Sequence, residues 1–366
     1  MLITFTFLPY LYSYYFHYSC LGRRPAMIVA QADPIPCIAC GRYHTLALTS
    51  NGVYSWGLSN YGQLGVGGLK NSPIPRIVET LSEESIITVA AGQYHSLAIS
   101  ANGLLWTWGW GVHGQLGHGS IEDVLVPTVV SCLSCEFIVQ AAAGGYAHSI
   151  ALSAKGCVIV FGSSYFGQLG IGSPVKRTTP IEVYGLSEPI TQISSGYFHN
   201  LALSKAGRLY IWGSNFSTLD SSASPDESAI HLSPMLVDTS NVLGKIIAIS
   251  CGCHHSAILD EKGTVYTWGK NFDGQLGDGT RKAVLLPSPI QINNQLKLSS
   301  DNLILHVPLS TVPIQYIVVG QILRWPWNQG DEFGDGALIK VDNSALHLFQ
   351  MTRISELKSK QVANEF

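Results

Sequence analysis

The chain repeats itself. Five blocks of the form Gly-x-x-His open at Gly41, Gly92, Gly145, Gly196 and Gly252, at steps of 51, 53, 51 and 56 residues, and carry His44, His95, His148, His199 and His255. Each block leads into a short apolar run, a turn glycine (Gly52, Gly103, Gly156, Gly207 or Gly263) and an aromatic-glycine pair whose ring is Trp56, Trp108, Phe161, Trp212 or Trp268. In four copies Gly-Gln-Leu-Gly follows, opening at Gly62, Gly114, Gly167 and Gly274, and a proline stands ten residues beyond its last glycine, at Pro75, Pro127, Pro180 and Pro287. A period near fifty residues implies one supersecondary unit per copy, each unable to bury its apolar face alone.

Short segments rich in β-branched and aromatic residues, cut by glycine turns every 8 to 12 residues, read as antiparallel strands. The apolar runs are too short and too often broken for helices, which disfavours an α-solenoid. About fifty residues hold four such strands, the content of one propeller blade. The expected fold is therefore all-β: a β-propeller of four-stranded antiparallel blades. Composition agrees, with 46% hydrophobic and only 12% charged residues, against roughly 25% charged in an average soluble chain.

The unit, with its Gly-x-x-His block, aromatic-glycine pair and Gly-Gln-Leu-Gly in fixed phase, resembles the repeat of the regulator of chromosome condensation family. That resemblance covers residues 34–290 and implies a propeller, commonly of seven blades. Beyond residue 290 no Gly-x-x-His block occurs, yet Trp325–Gly336 aligns without a gap on Trp268–Gly279, 57 residues earlier. A degenerate sixth blade and an irregular tail are expected over 291–366, and a ring left incomplete. A smaller closed ring, a piece of a longer protein and faulty ends of the gene all fit that expectation.

Residues 1–33 are expected outside the propeller. Residues 1–20 are apolar and close to bilayer-spanning length, so any membrane contact would run through them. Pro9, five tyrosines and the lack of a basic residue ahead of the run weaken both a spanning helix and a cleaved signal.

Chemistry is sparse. Cys37-x-x-Cys40 and Cys132-x-x-Cys135 have ligand-like spacing. Cys40, however, stands just before the block glycine, where other copies carry Ala91, Gly144, Ser195 and Cys251, so buried free thiols in a reducing compartment are expected. One histidine per blade cannot converge on a metal that needs ligands about 2 Å away. The histidines are read as structural, with ring nitrogens bonded to backbone, and no metal or cofactor is expected. Phosphate-binding loops, nucleophile elbows and His-Glu-x-x-His are absent from the sequence, so the chain is read as no enzyme.

The resemblance implies two sharper functions. The founding member acts on the Ran GTPase through a wedge on one blade and docks on nucleosomes with a basic tail. Neither device is recognisable here, and a formal charge of −3 offers no basic face for nucleic acid. The plant ultraviolet-B photoreceptor branch carries tryptophans after the block glycines, where this chain has Arg42, Gln93, Tyr146, Tyr197 and Cys253. Trp106, Trp108 and Trp110 alternate and are expected to pack on one side of a strand and its turn.

Blade four departs most, replacing Gly-Gln-Leu-Gly with a polar stretch that includes Asp220, Ser224, Asp226 and Glu227, a candidate partner loop. The expected function is a cytoplasmic protein-interaction scaffold, with nuclear location an alternative. The rival functions are a nucleotide-exchange regulator of a small GTPase and the recognition portion of a ubiquitin ligase or kinase.

Overall fold

The apolar run after each block histidine forms the second strand of a four-stranded sheet, and the aromatic-glycine pair closes the third. The computed structural model describes residues 37–214 and 230–291, together with the backbone of two later strands. Blade one comprises β1 (Cys37–Cys40), β2 (His44–Thr49), β3 (Gly52–Gly57) and β4 (Ser72–Ile77). Blade two is β5 (Ile86–Ala91), β6 (His95–Ser100), β7 (Leu105–Gly109) and β8 (Val124–Val129); blade three is β9 (Ile138–Gly144), β10 (His148–Ser153), β11 (Val158–Gly162) and β12 (Arg177–Glu182). Blade four is β13 (Ile190–Ser195), β14 (His199–Ser204), β15 (Leu209–Ser214) and β16 (Ile230–Leu236); blade five is β17 (Ile246–Cys251), β18 (His255–Asp260), β19 (Val265–Gly269) and β20 (Val284–Pro289).

Within every blade the strands pair in chain order and antiparallel. The first strand of each blade lies against the first two strands of the blade before it, which sets the sheets side by side around an axis. Glycine makes the hairpins: Gly103, between β6 and β7, has φ +78, a conformation that costs a residue with a Cβ. The recurrent prolines all fall in the outermost strands β4, β8, β12 and β20. There a missing N–H costs no ladder bond, and the edge is guarded against pairing with another chain.

The cores lie between blades. Leu97 and Ile99 of β6 pack toward blade three with Ile138, Ala151 and Phe161, whereas Ala98 points the other way, to Leu46, Val89 and Trp108 between blades one and two. Successive side chains alternate across the sheet, so a strand with a blade on each side is buried throughout. That is the pattern of β6, β10, β14 and β18. β2 instead alternates, with Thr45, Ala47 and Thr49 only half-buried, so the face of blade one turned away from blade two is uncovered by the described residues.

Beyond blade five, β21 (Tyr316–Val319) and β22 (Ala337–Lys340) form a two-stranded antiparallel sheet, with β21 against β17 and β18 where the first strand of a next blade belongs. The sheets form an open arc, and the Trp325–Gly336 echo falls between β21 and β22, outside the described residues, as do residues 1–33.

Ala47 and Ala98 occupy the same repeat position, so they test the open face directly. Ala98→Lys places a charge in a closed core and should lower stability by about 3 kcal/mol or more, while Ala47→Lys should cost less than about 1 kcal/mol. Urea denaturation of both variants checks this; equal losses would mean that the blade-one face is covered.

Candidate functional site

The block histidines are parts of a relay that joins each blade to the next. His44 Nε2 lies 2.8 Å from Ser96 Oγ of blade two, His95 Nε2 3.1 Å from Ser149 Oγ of blade three, and His199 Nε2 2.9 Å from Ser256 Oγ of blade five. His148 Nε2 meets Asn200 Oδ1 of blade four at 3.0 Å and Ser195 Oγ at 2.9 Å. The receiving side chains are already committed as donors. Ser96 and Ser149 give their hydroxyl protons to the carbonyls of Gln63 and Gln115, and Asn200 Nδ2 gives one to that of Gln168. Their oxygens are left to accept, so the histidines carry the proton on Nε2. The partners are side chains of the neighbouring blade rather than the backbone expected from sequence, because strand pairing already uses the backbone groups there.

The glycines make room for this relay. A Cβ on Gly41 would meet the His44 ring at 2.7 Å, and Gly92 and Gly196 lie still closer under His95 and His199. In blade three the register is shifted by one, with Ala147 at φ +51, and Gly144 rather than Gly145 lies against the His148 ring. A Cβ on Gly145 would instead strike Tyr197 of blade four. Gly252 donates its N–H to the His255 carbonyl at 2.8 Å, as Gly92 does to His95.

The aromatic-glycine and Gly-Gln-Leu-Gly motifs also act across the joint. Trp108 Nε1 donates to the Gln63 carbonyl at 3.0 Å and Trp212 Nε1 to that of Gln168 at 3.1 Å. The last glycine of the preceding motif, Gly65 or Gly170, would place a Cβ 2.7 Å from the indole. Trp108, Trp212 and Trp268 are fully buried, whereas Trp56 on the uncovered face of blade one is half-buried.

Among the described residues the relay stops at His255, buried with neither ring nitrogen bonded to any of them. In four blades the residue before the block glycine pairs with the relay acceptor: Cys40 with Thr45, Ala91 with Ser96, Ser195 with Asn200, Cys251 with Ser256. The corresponding pair ahead of Gly320 is Val319 with Ala337.

Burial, the largest cause throughout, holds the relay rings neutral, pushing His44, His148 and His255 down to about 4 and His95 and His199 to about 3, with neighbouring histidines adding to the last two. No cluster of three or more metal-ligating side chains occurs among the described residues.

A second feature lies at the surface. From the block turns and the loops before Gly-Gln-Leu-Gly, aromatic rings meet in stacked, tilted and edge-to-face contacts across all five blades. Tyr43 stacks on Tyr94 at 5.3 Å, Tyr94 meets Trp110 at 5.6 Å, Trp110 meets His113 at 5.0 Å, and His113 meets Tyr146 at 5.8 Å. Phe198 continues the belt at 5.1 Å from Tyr146 and reaches His254 of blade five at 5.8 Å. Tyr61, Tyr165, Phe166 and Tyr197 widen it. Trp106 and Trp108 belong to the core between blades one and two, and only Trp110 of that trio joins the belt.

Within the belt, Arg42 of blade one donates to Tyr197 Oη of blade four at 3.2 Å, and Tyr197 donates to Gln93 Oε1 of blade two at 2.7 Å. Blades one and four are not neighbours, so this network crosses the axis. Beside Trp110 a groove of about 400 Å³ is lined by Leu69, Val112, Ile121, Glu122 and Leu125. The sequence signal for the belt was present in the variable positions after each block glycine; only their lack of tryptophan had been read from them.

Other expectations fare differently. Asp220, Ser224, Asp226 and Glu227 lie outside the described residues. The seven cysteines among the described residues form no disulfide, but Cys40, Cys132 and Cys135 are exposed and Cys37 and Cys157 half-buried, against the expectation of buried thiols. Cys40 lies on the uncovered face of blade one and Cys132 in a peripheral 3-10 turn, whereas Cys251, in the position of Cys40, is buried in the core against blade four.

Residues 50–99, 102–152, 155–203 and 262–300 match the family described as Regulator of chromosome condensation (RCC1) repeat. The ultraviolet-B receptor UVR8 of Arabidopsis thaliana is 38% identical over 66% of this chain and 54% of its own length. An X-linked retinitis pigmentosa GTPase regulator homolog of Caenorhabditis elegans is 33% identical over 69% of this chain and 21% of its own. The E3 ubiquitin-protein ligase HERC2 of Homo sapiens is 37% identical over 68% of this chain and 5% of its own. The chain thus spans about half or less of the length of these three relatives. Among solved structures, Prp20p of Saccharomyces cerevisiae, described with its binding to Gsp1p and histones, has a TM-score of 0.61 at 23% identity, covering 78% of this chain and 66% of that one.

The relay makes two predictions. Unfolded histidines titrate near 6.5, and the buried ones do so at 3 to 4. The unfolded chain binds the extra protons, so stability is full above pH 6.5 and is lost as pH falls toward 3; unfolding near pH 5 should take up about six protons, on the five relay histidines and on His254, which burial also lowers to about 3, measured as the pH dependence of urea unfolding. A flat profile from pH 7 to 5 would contradict the burial. Removing a described acceptor with Ser96→Ala leaves the buried His44 N–H unpaired and should cost about 1–3 kcal/mol; no fall in the melting midpoint would disprove the relay.

Proposed function

We propose that this chain, which belongs to the regulator of chromosome condensation repeat family, is a non-catalytic scaffold that docks a protein partner on its aromatic face. The observation that carries the reading is the belt itself. Aromatic rings with a central arginine, rimmed by polar residues, have the make-up of an interface centre. The motif residues are spent inside, on holding blades together, which leaves the variable block positions and loops to meet a partner. A cytoplasmic, reducing setting is part of the reading, supported by the seven free cysteines among the described residues.

A role in regulating a small GTPase is the second reading, favoured by the match to a relative named as a GTPase regulator homolog. A recognition role within a ubiquitin ligase is the third, from the match to HERC2. Both belong to relatives far longer than the matched region, so the docking face is what this chain shares with each reading.

The scaffold reading expects the purified chain to leave nucleotide release from Ran and a panel of related GTPases at the spontaneous rate. A large acceleration on any one of them would put the exchange reading first. It further expects Tyr94→Ala with Phe198→Ala to reduce capture of partner proteins at least tenfold while the melting midpoint moves by only a few degrees. Unchanged capture would rule out the belt as the docking face.

A further inference from the structure

We infer that Arg42 receives a carboxylate presented by an acidic side chain on an extended segment of the partner protein. This rests on the docking reading above and specifies the chemistry of its centre. Arg42 is half-buried at the mouth of the channel, its guanidinium carbon 5.2 Å from the centroid of the Tyr43 ring. Among the described residues its side-chain N–H groups meet only phenol oxygens, donating to Tyr197 Oη at 3.2 Å and interacting with the Tyr43 hydroxyl. The ion pairs among the described residues are Lys155 with Glu136 and Arg208 with Glu188, so no carboxylate there answers Arg42.

A guanidinium held among aromatic rings has lost part of its hydration, and a cation partly removed from water is costly until an anion meets it. The planar fork suits a carboxylate, which it binds through two parallel hydrogen bonds stronger than neutral ones. The surroundings orient that carboxylate. Tyr197 is fixed between Arg42 and Gln93, and its bond to Gln93 Oε1 leaves the Gln93 NH2 group beside the fork without a bond to any described residue. The rings around it, Tyr43, Tyr94, Tyr146 and Phe198, offer apolar contact that a free anion cannot use and that the residues flanking an acidic side chain can. The groove that Trp110 lines adjoins the belt and gives such a segment a place to lie. Its rim carries Glu122, so acidic residues are expected at the channel mouth and not along the groove.

The test is selection of dodecapeptides displayed on phage against the immobilised full chain, followed by anisotropy with labelled copies of the selected peptides. Selected peptides should share one Asp or Glu next to aromatic or apolar residues. Binding should weaken at least tenfold on Arg42→Gln and partly on Arg42→Lys. Replacing the shared acid by its amide should cause the same loss, with little further loss when the two changes are combined. Peptides that lose binding on Tyr94→Ala yet lack an acid, or bind Arg42→Gln undiminished, overturn the carboxylate assignment and leave the docking face standing. Peptides indifferent to both Tyr94→Ala and Arg42→Gln, or failure to select any, overturn the docking face as well. Binding of dodecauridylate or inorganic phosphate that is lost on Arg42→Gln reassigns the arginine to phosphate and overturns the inference. Circular dichroism melts of each variant within a few degrees of the parent confirm that folding is not what is being read.

Discussion

The hydrogen bond from a buried histidine to the next blade is the interaction on which this architecture depends. A four-stranded sheet of this kind has two apolar faces and no means of choosing its neighbour by hydrophobicity alone. The relay supplies that choice at a single place. His44 can satisfy its N–H only if Ser96 has its hydroxyl turned to the Gln63 carbonyl. That in turn needs the Gly-Gln-Leu-Gly loop of the first blade in position under the second. The same carbonyl takes the indole N–H of Trp108, so the aromatic-glycine pair is placed by the same acceptor. Glycine recurs because a methyl group at Gly41 or Gly65 would enter the ring it must lie against.

Much of this was legible in the sequence because it is repeated. Five blocks in phase revealed the blade count, the hairpin glycines and the edge prolines, each through a local rule of backbone geometry. The relay was half legible: Gly-x-x-His announces a buried histidine, but its acceptor sits one blade later, at Ser96, Ser149, Asn200 or Ser256, and no local rule reaches across fifty residues. Burial of the cysteines was misjudged for the same reason. Cys40 and Cys251 occupy one repeat position, and only the presence or absence of a neighbouring sheet separates an exposed thiol from a buried one.

The belt was illegible for the opposite reason. Its members, among them Tyr61, Trp110, His113, Tyr146 and Phe198, hold variable positions, and a pattern search rewards what stays constant. Their proximity follows from the ring: turns that project from successive blades toward one axis must bring their side chains together, whatever those side chains are. The interior therefore fixes where the surface residues meet and leaves open what they are. That division explains how one blade plan can serve relatives as different as a light receptor and a ubiquitin ligase.

The relay also has a direction. Blades one to four each hand a histidine forward and blades two to five each take one from behind, so each of these joints is a plug meeting a socket; among the described residues the socket position at Thr45 of blade one and the plug at His255 of blade five have no counterpart. Beginning the chain at a different blade boundary would leave every joint of the same kind. Turning a single blade around would set plug against plug on one side and socket against socket on the other. Such an assembly is indifferent to where its thread is cut and intolerant of the sense in which it is wound.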